Sequence, residues 1–186
     1  DRSRMIYSYY ETNPIYDNTA KAELVEHEFS TGQSRQLTKD GRLYAPQYFG
    51  DKLLALQTKP ASSQLVTMDK TASKASLDTL ASLNHHQIIA VAPHPSDDKW
   101  AVVSNQRGTQ ALWMVDPQTP QQSLQRPPTL IFEEGAIFDP SWHASGEKLL
   151  FSSDFSGTHQ LYEYIPATES VQQVTSSSFN ALEGAY

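Results

Sequence analysis

The histidines are the residues whose types and spacing could do chemistry here, because an imidazole can bind a metal or carry a proton. His27 and Glu28 are adjacent, but no second histidine follows at the spacing of an H-E-x-x-H zinc helix. His85 and His86 are also adjacent. On a strand their side chains would point to opposite faces and chelate poorly, although in a loop they could converge. We therefore predict no metal site.

Other catalytic motifs are missing from the sequence as well. It contains no G-x-S-x-G nucleophile elbow, no P-loop and no glycine-rich dinucleotide loop. It has no cysteine, which excludes disulfides and cysteine-based zinc sites. We expect no catalytic residue and no cofactor in this chain, and hence no enzymatic activity of its own.

The composition fits a folded domain built from short elements. The 186 residues are 38% hydrophobic, and eleven prolines and eight glycines punctuate the chain. The formal net charge of -7 argues against a nucleic-acid partner, since phosphate binding needs clustered Lys and Arg. No stretch approaches the roughly 20 apolar residues of a membrane span.

An internal repeat of about 47 to 49 residues organises the chain. The copies that begin at Val91 and Pro140 align without a gap, and a weaker copy begins at Tyr44. The N-terminal copy carries an insertion of roughly seven residues within 11–21. The aligned pairs of the two clearest copies include His94 with His143, Ser96 with Ser145, Lys99 with Lys148, Gly108 with Gly157 and Leu112 with Leu161.

Each copy is predicted to form four strands. The first ends near Pro46, Pro93 or Pro140, and the second is a continuous apolar run that suits burial on both faces. A tight turn, at Thr31–Gly32 or Pro117–Gln118, is expected before the fourth strand. Four strands in a period in the forties are typical of propeller blades, so we predict an all-β β-propeller of about four blades. A β-sandwich would require the repeat to be a chance similarity.

The copy from Asp139 to Asp154 resembles the TolB-type propeller repeat, P-x-W-S-P-D-G-K-x-L-x-F, with His143-Ala144-Ser145 in place of Ser-Pro-Asp. The resemblance implies WD-repeat-like blades in a propeller of six or more, used for binding and docking in the bacterial periplasm or cell envelope. Similar blades occur in prolyl oligopeptidase and tricorn-type proteases, where the propeller filters substrate beside a separate catalytic domain.

The repeat also predicts how the blades divide the chain. We expect a single propeller region over 1–186, starting at a second strand and ending at a first, as an arc of a larger propeller in a longer bacterial protein. Alternatively, Tyr186 closes against the first blade. Unpaired sheet edges in an open arc predict self-association. The approximate blades are 1–38, 39–80, 81–131 and 132–175, with 176–186 opening the next.

Repeated polar positions are expected to serve the blades themselves. His94 and His143 share one position and are expected to bond a turn backbone group, and Asn105 and Asp154 are expected to cap turns. In a propeller, the loops between second and third strands share a face with the blade-to-blade connections. That face would carry the candidate binding residues Tyr16, His85, His86, Arg107 and His159.

The predicted propeller and its candidate binding residues indicate two possible functions. The first is a non-catalytic module that binds a protein or peptide on that face. The second is the substrate-gating propeller of a peptidase whose catalytic domain lies outside this chain. A lyase or hydrolase acting in the channel would need converging acidic residues, and those in the sequence are scattered.

Overall fold

A computed structural model describes the chain over residues 3–12, 20–70, 76–96, 98–133, 135–182 and 184. Within these residues it contains fifteen strands and one four-residue helix. The strands form four antiparallel sheets, one of three strands and three of four. Within each sheet, strands that are consecutive in the chain pair with each other. The chain divides into two compact units, Asp1–His85 and His86–Tyr186, and each contains two sheets.

The first unit is built around an apolar cluster in which Leu24, Leu43 and Leu53 are fully or almost fully buried. Burying such a side chain contributes about 1.5–3 kcal/mol. Its strands are β1 (Arg4–Thr12), β2 (Ala20–Glu28) and β3 (Gln33–Gln36) in one sheet, and β4 (Leu43–Phe49), β5 (Lys52–Lys59), β6 (Ser62–Asp69) and β7 (Asp78–Asn84) in the other.

The second unit has its own apolar cluster, to which both of its sheets contribute, with Val103, Leu112, Phe151 and Tyr164 among its buried members. Its elements are β8 (Gln87–Pro93), β9 (Trp100–Gln106), β10 (Thr109–Val115), α1 (Pro120–Ser123) and β11 (Leu130–Phe132), then β12 (Ile137–Trp142), β13 (Leu149–Ser153), β14 (Gln160–Ile165) and β15 (Ser170–Gln173).

The insertion in the N-terminal copy lengthens a hairpin. β1 and β2 have nine residues each, whereas β13 and β14 have five and six. The pairing continues through Glu11 with Lys21 and Thr12 with Ala20. Residues 13–19, which follow β1 and precede β2 in the chain, lie outside the described part, and Tyr16 is one of them.

The first strand of each four-stranded sheet contains a register shift of one residue. β8 ends at Pro93 as predicted, but β4 and β12 continue past Pro46 and Pro140. In both strands the residue before the proline, Ala45 or Asp139, has a positive φ of 49°. A bulge lets a strand pass a proline, which has no N–H for the ladder, and this explains why the proline does not end it.

The tight turn predicted at Pro117–Gln118 is present, since Thr119 donates its N–H to the carbonyl of Asp116 at 3.1 Å, but it does not lead directly to the fourth strand. The carboxylate of Asp116 accepts the N–H of Gln118 at 2.8 Å, which begins a longer connection. Pro120 then occupies the first turn of α1, where its missing N–H costs nothing. The fourth strand, β11, begins only at Leu130.

Two sheet boundaries also differ from the sequence expectation. The expected boundaries after residues 80 and 131 fall inside β7 and β11, because these outer strands are held by pairing with β6 and β10 rather than by an apolar run. At the C-terminus, residues 176–182 and 184 are described and contain no strand. Glu183, Ala185 and Tyr186, which were expected to help open a further blade, lie outside the described residues.

Candidate functional site

Two of the candidate residues lie at one end of the sheet β8–β11. His86 precedes β8, and Arg107 lies in the turn between β9 and β10. The register pairs Gln87 with Asn105 and Gln106 with Thr109, so the start of β8 and this turn are neighbours. The antiparallel pairing therefore brings His86 and Arg107 to the same sheet end.

His159 lies at the corresponding end of the second sheet in this unit. It precedes β14, whose first residue, Gln160, pairs with Ser153. Ile137 at the start of β12 donates its N–H to Oε1 of Gln110 at the start of β10, at 2.6 Å. This buried bond holds the same ends of the two sheets together. We call this region, defined by His86, Arg107 and His159, the turn end of the second unit.

Arg107 presents an exposed cation at the turn end. Its backbone has a φ of 53°, a left-handed conformation that suits the tight turn before Gly108. The side-chain oxygen of Asn105 accepts the N–H of Gly108 at 3.1 Å, which confirms the predicted capping role of Asn105. No ion pair to Arg107 is present among the described residues, so the guanidinium is available to an anionic or carbonyl group.

His159 adds an imidazole and an aromatic neighbour. Its ring meets Phe138 edge to face, with 5.2 Å between centroids. Its backbone is held by two residues of the C-terminal segment, since Ala181 donates to its carbonyl at 2.8 Å and its own N–H reaches Asn180. Its buried Nδ1 has no hydrogen-bond partner among the described residues. His159 and the partly exposed Phe138 thus form a half-buried aromatic surface.

The other three candidates have different surroundings from Arg107 and His159. His86 is half-buried, and its Nδ1 lies 3.5 Å from the hydroxyl of Ser104, which also accepts the indole N–H of Trp113. His85 belongs to the first unit, is exposed, and donates its backbone N–H to the carbonyl of Ala61. Tyr16 lies outside the described residues. The structure therefore brings three of the five candidates to the turn end, and their role in binding stays a prediction.

The repeated histidines are structural, as predicted. In each copy the ring Nδ1 accepts the backbone N–H of the serine two residues later, Ser96 for His94 and Ser145 for His143, at 3.2 and 3.1 Å. The serine hydroxyl also contacts the same nitrogen, at 2.7 and 2.8 Å. Each histidine thus fixes the turn between the first and second strands of its sheet.

Sequence reasoning missed that His94 also joins the two sheets of the second unit. Its Nε2 lies 2.9 Å from the carbonyl oxygen of Gly146, and its ring packs edge to face on Trp142. The indole N–H of Trp142 donates to the carbonyl of Ala92 at 3.0 Å. The repeat identified the histidine but gave no signal that His94 reaches across to the next sheet.

A second feature was also missed: a groove of about 580 Å³ in the second unit, lined by residues of β11, β14 and β15. Ile131 and Phe155 on its lining are large apolar side chains that remain mostly exposed. The available signal was the apolar triplet Leu130–Phe132, whose middle residue cannot share a sheet face with its two neighbours.

Titratable groups with shifted pKa values lie away from the turn end. Lys21 donates to the carboxylate of Asp40 at 2.6 Å and lowers the pKa of that exposed group. Burial raises the pKa of the Tyr164 phenol, and the carboxylate of Glu169 adds to the effect. Among the described residues, no three His, Asp or Glu side chains converge as metal ligands would. In the same part of the chain, no helix has the length and apolar character to cross a bilayer.

Comparison with known proteins identifies the fold. No protein-family model matches the sequence, and no curated protein matches it. Solved structures do match: the crystal structure of TolB from Acinetobacter baumannii aligns with a TM-score of 0.77 at 17% identity, over 98% of this chain and 44% of that one. The fold is that of a TolB-type β-propeller. The all-β propeller class predicted from the repeat is thereby confirmed.

Propellers of other proteins are also similar to this one. Oligogalacturonate lyase in complex with manganese aligns with a TM-score of 0.65 at 12% identity, over 97% of this chain and 53% of that chain. Oligopeptidase B from Leishmania major aligns with a TM-score of 0.61 at 11% identity, over 96% and 26%. At these identities the similarity shows the fold alone. The chain spans less than half of the TolB structure that it matches.

Proposed function

We propose that this propeller is a non-catalytic module that binds a protein or peptide partner in a bacterial envelope protein. The observation that carries the proposal is the structural match to TolB, which covers almost the whole chain. Because a fold hosts many functions, the binding surface has to be argued from residues. Exposed turns that a rigid sheet positions are where binding residues concentrate.

The turn end supplies a surface of suitable chemistry. The unpaired guanidinium of Arg107 can bind a carboxylate or carbonyl group, while the edge-to-face pair of His159 and Phe138 offers an aromatic contact. Arg and aromatic residues carry much of the binding energy at protein interfaces. His85 of the first unit and Tyr16 remain further candidate binding residues.

Site-specific photo-crosslinking tests this proposal. A photoreactive amino acid placed at position 107 or 159, in the chain expressed in a bacterial periplasm, is expected to give one discrete adduct with a partner. A matched position is Glu147, an exposed turn residue at the opposite end of the same unit, where no such adduct should form. The same adduct from both ends, or none from either turn-end position, would contradict a specific site there.

The second candidate is a substrate-gating propeller in a peptidase, and the similarity to oligopeptidase B supports it. The sequence of the full-length gene would distinguish the two functions. A flanking hydrolase domain with Ser, Asp and His residues would favour gating and remove the stand-alone binding module. Deleting the propeller from such a protein is expected to let the catalytic domain cleave larger substrates.

We further infer that the isolated chain associates with itself through β1. This nine-residue strand is the outermost of its sheet, and Met5, Tyr9 and Tyr10 on it are exposed. Long apolar edge strands template pairing with another chain. Light scattering at increasing concentration should show association that a Tyr9→Lys substitution suppresses. A monomer at all concentrations would refute the inference.

A further inference from the structure

The groove in the second unit has the dimensions of a ligand site. Its volume of about 580 Å³ lies within the usual range for such sites, roughly 300–1,000 Å³. β11 and β15, which contribute to its lining, are each the outermost strand of their sheet. The groove therefore lies beside backbone edges that carry no further strand of this unit.

Apolar side chains are unusually open to solvent around the groove. Ile131 is 59% exposed, Phe155 65% and Val171 40%. The deeper lining is rigid: Tyr162 is buried, and its ring stacks on Phe151 with 5.9 Å between centroids. A contiguous exposed apolar patch over a fixed aromatic base is typical of an interaction site.

One charged group limits what can occupy the groove. Of the described residues that line it, Glu133 alone is charged, and no cation among them pairs with it. Charge complementarity therefore favours a cationic group next to the apolar contact.

The outer strand β11 suggests how such a ligand is held. Its three residues pair with β10 on one side only, through Leu130 with Leu112, Ile131 with Ala111 and Phe132 with Gln110. An extended peptide adds to a free sheet edge through main-chain hydrogen bonds, while alternate side chains enter adjoining pockets. The groove next to β11 provides such a pocket.

We propose that this groove binds an extended peptide segment in which an apolar side chain stands next to Lys or Arg. The apolar side chain occupies the space between Ile131, Phe155 and Val171, and the cation pairs with Glu133. Phe155 lies in the same connection between β13 and β14 as His159, so the groove adjoins the turn end. The two proposals use different side chains, and substitutions therefore test them separately.

The test is an NMR titration of the full 186-residue chain with a blocked pentapeptide of threonine, lysine, phenylalanine, lysine and threonine. Saturable shifts are expected at the amides of Ile131, Phe155 and Val171. Ile131→Thr, at a mostly exposed position that should tolerate it, is expected to weaken binding about tenfold through lost apolar contact. Glu133→Gln is expected to weaken it about two- to fivefold, as for a surface ion pair.

The matched control is Val174→Thr, the same loss of apolar surface at a half-exposed position outside the groove lining, which should leave binding unchanged. Arg107→Ala should also leave it unchanged, which separates this site from the turn end. Equal binding of a peptide with serine for phenylalanine, or no saturation at millimolar peptide, would overturn the proposal. Groove amides that shift with protein concentration alone would assign the groove to a second copy instead.

Discussion

His94 and Gly146 form the hydrogen bond that joins the two sheets of the second unit, with 2.9 Å between Nε2 and the carbonyl oxygen. Because Nδ1 accepts the N–H of Ser96, the neutral ring carries its proton on Nε2 and donates it to Gly146. The carboxylate of Asp98 also lies 3.0 Å from Nδ1. Both ring nitrogens of His94 are therefore held by neighbouring groups.

Gly146→Ala is expected to destabilise the fold by about 3 kcal/mol, combining left-handed strain with overpacking. Gly146 has a φ of +75°, and an added Cβ would lie 2.1 Å from Nε2 of His94. Gly157→Ala is the matched control, since its φ is +89° but nothing lies within 4 Å of the added Cβ, and it should cost only about 1 kcal/mol. Urea unfolding measures both.

The double variant His94→Ala with Gly146→Ala checks the cause. Removing the ring relieves the clash, so the two effects should fall short of additive by at least about 1 kcal/mol. Additive losses would show that the substitution at Gly146 acts through backbone strain alone.

Trp142→Phe is expected to cost about 1–3 kcal/mol, because the carbonyl of Ala92 loses the indole N–H that it accepts in a buried position. Trp113→Phe removes a similar donor, but its acceptor is the hydroxyl of Ser104, which can turn to another partner. Thermal denaturation should rank Trp142→Phe as the more damaging. The reverse order would argue that ring packing, and not the hydrogen bond, dominates at Trp142.

The residues that follow the outer strands β3 and β15 offer a third prediction. Thr38 accepts the backbone N–H of Leu24 at 2.9 Å and donates to the buried carboxylate of Glu23 at 2.7 Å. Thr38→Val keeps the shape but leaves both groups without this partner, and should cost about 1–3 kcal/mol.

The same bonds recur in the second unit, where Thr175 accepts from Leu161 at 2.9 Å and donates to Gln160 at 2.8 Å. Thr175→Val should therefore cost a similar amount, while Thr79→Val at an exposed strand position should cost almost nothing. Equal stability of all three variants in denaturant would refute the role given to the hydroxyls.

The sequence predicted the strands within each copy better than it predicted the contacts between copies. Continuous apolar runs such as Trp100–Val103 identified the second strands, since both faces of these are buried. The groove and the contact between His94 and Gly146 were not foreseen, because a repeat defines what each copy shares. Contacts between copies depend on how the sheets pack, and only the structure contains that information. The bulge at Asp139 was hidden for a different reason, because a proline in the sequence predicts the end of a strand.

Alkaline pH is expected to destabilise the second unit through Tyr164. Burial raises the pKa of this phenol above its ordinary value near 10, so the fold favours the neutral form. Its contribution is fully present below pH 10 and is lost as pH rises through the raised pKa. Stability in urea at several pH values from 8 upward should fall for the wild type, and Tyr164→Phe should flatten that slope. An unchanged slope would exclude Tyr164 as the cause.

The arrangements around Thr38 and Thr175 are each complete within one sheet and the residues that follow it. A segment that satisfies its own polar groups can be copied or lost during gene duplication without leaving broken bonds in its neighbours. The presence of Glu23 in one copy and Gln160 in the other shows that the duplicates diverged in charge while keeping the same acceptor oxygen. The hydrogen bonds of the threonine therefore belong to each blade by itself, whereas a bond such as that of His94 with Gly146 has to match the neighbouring sheet.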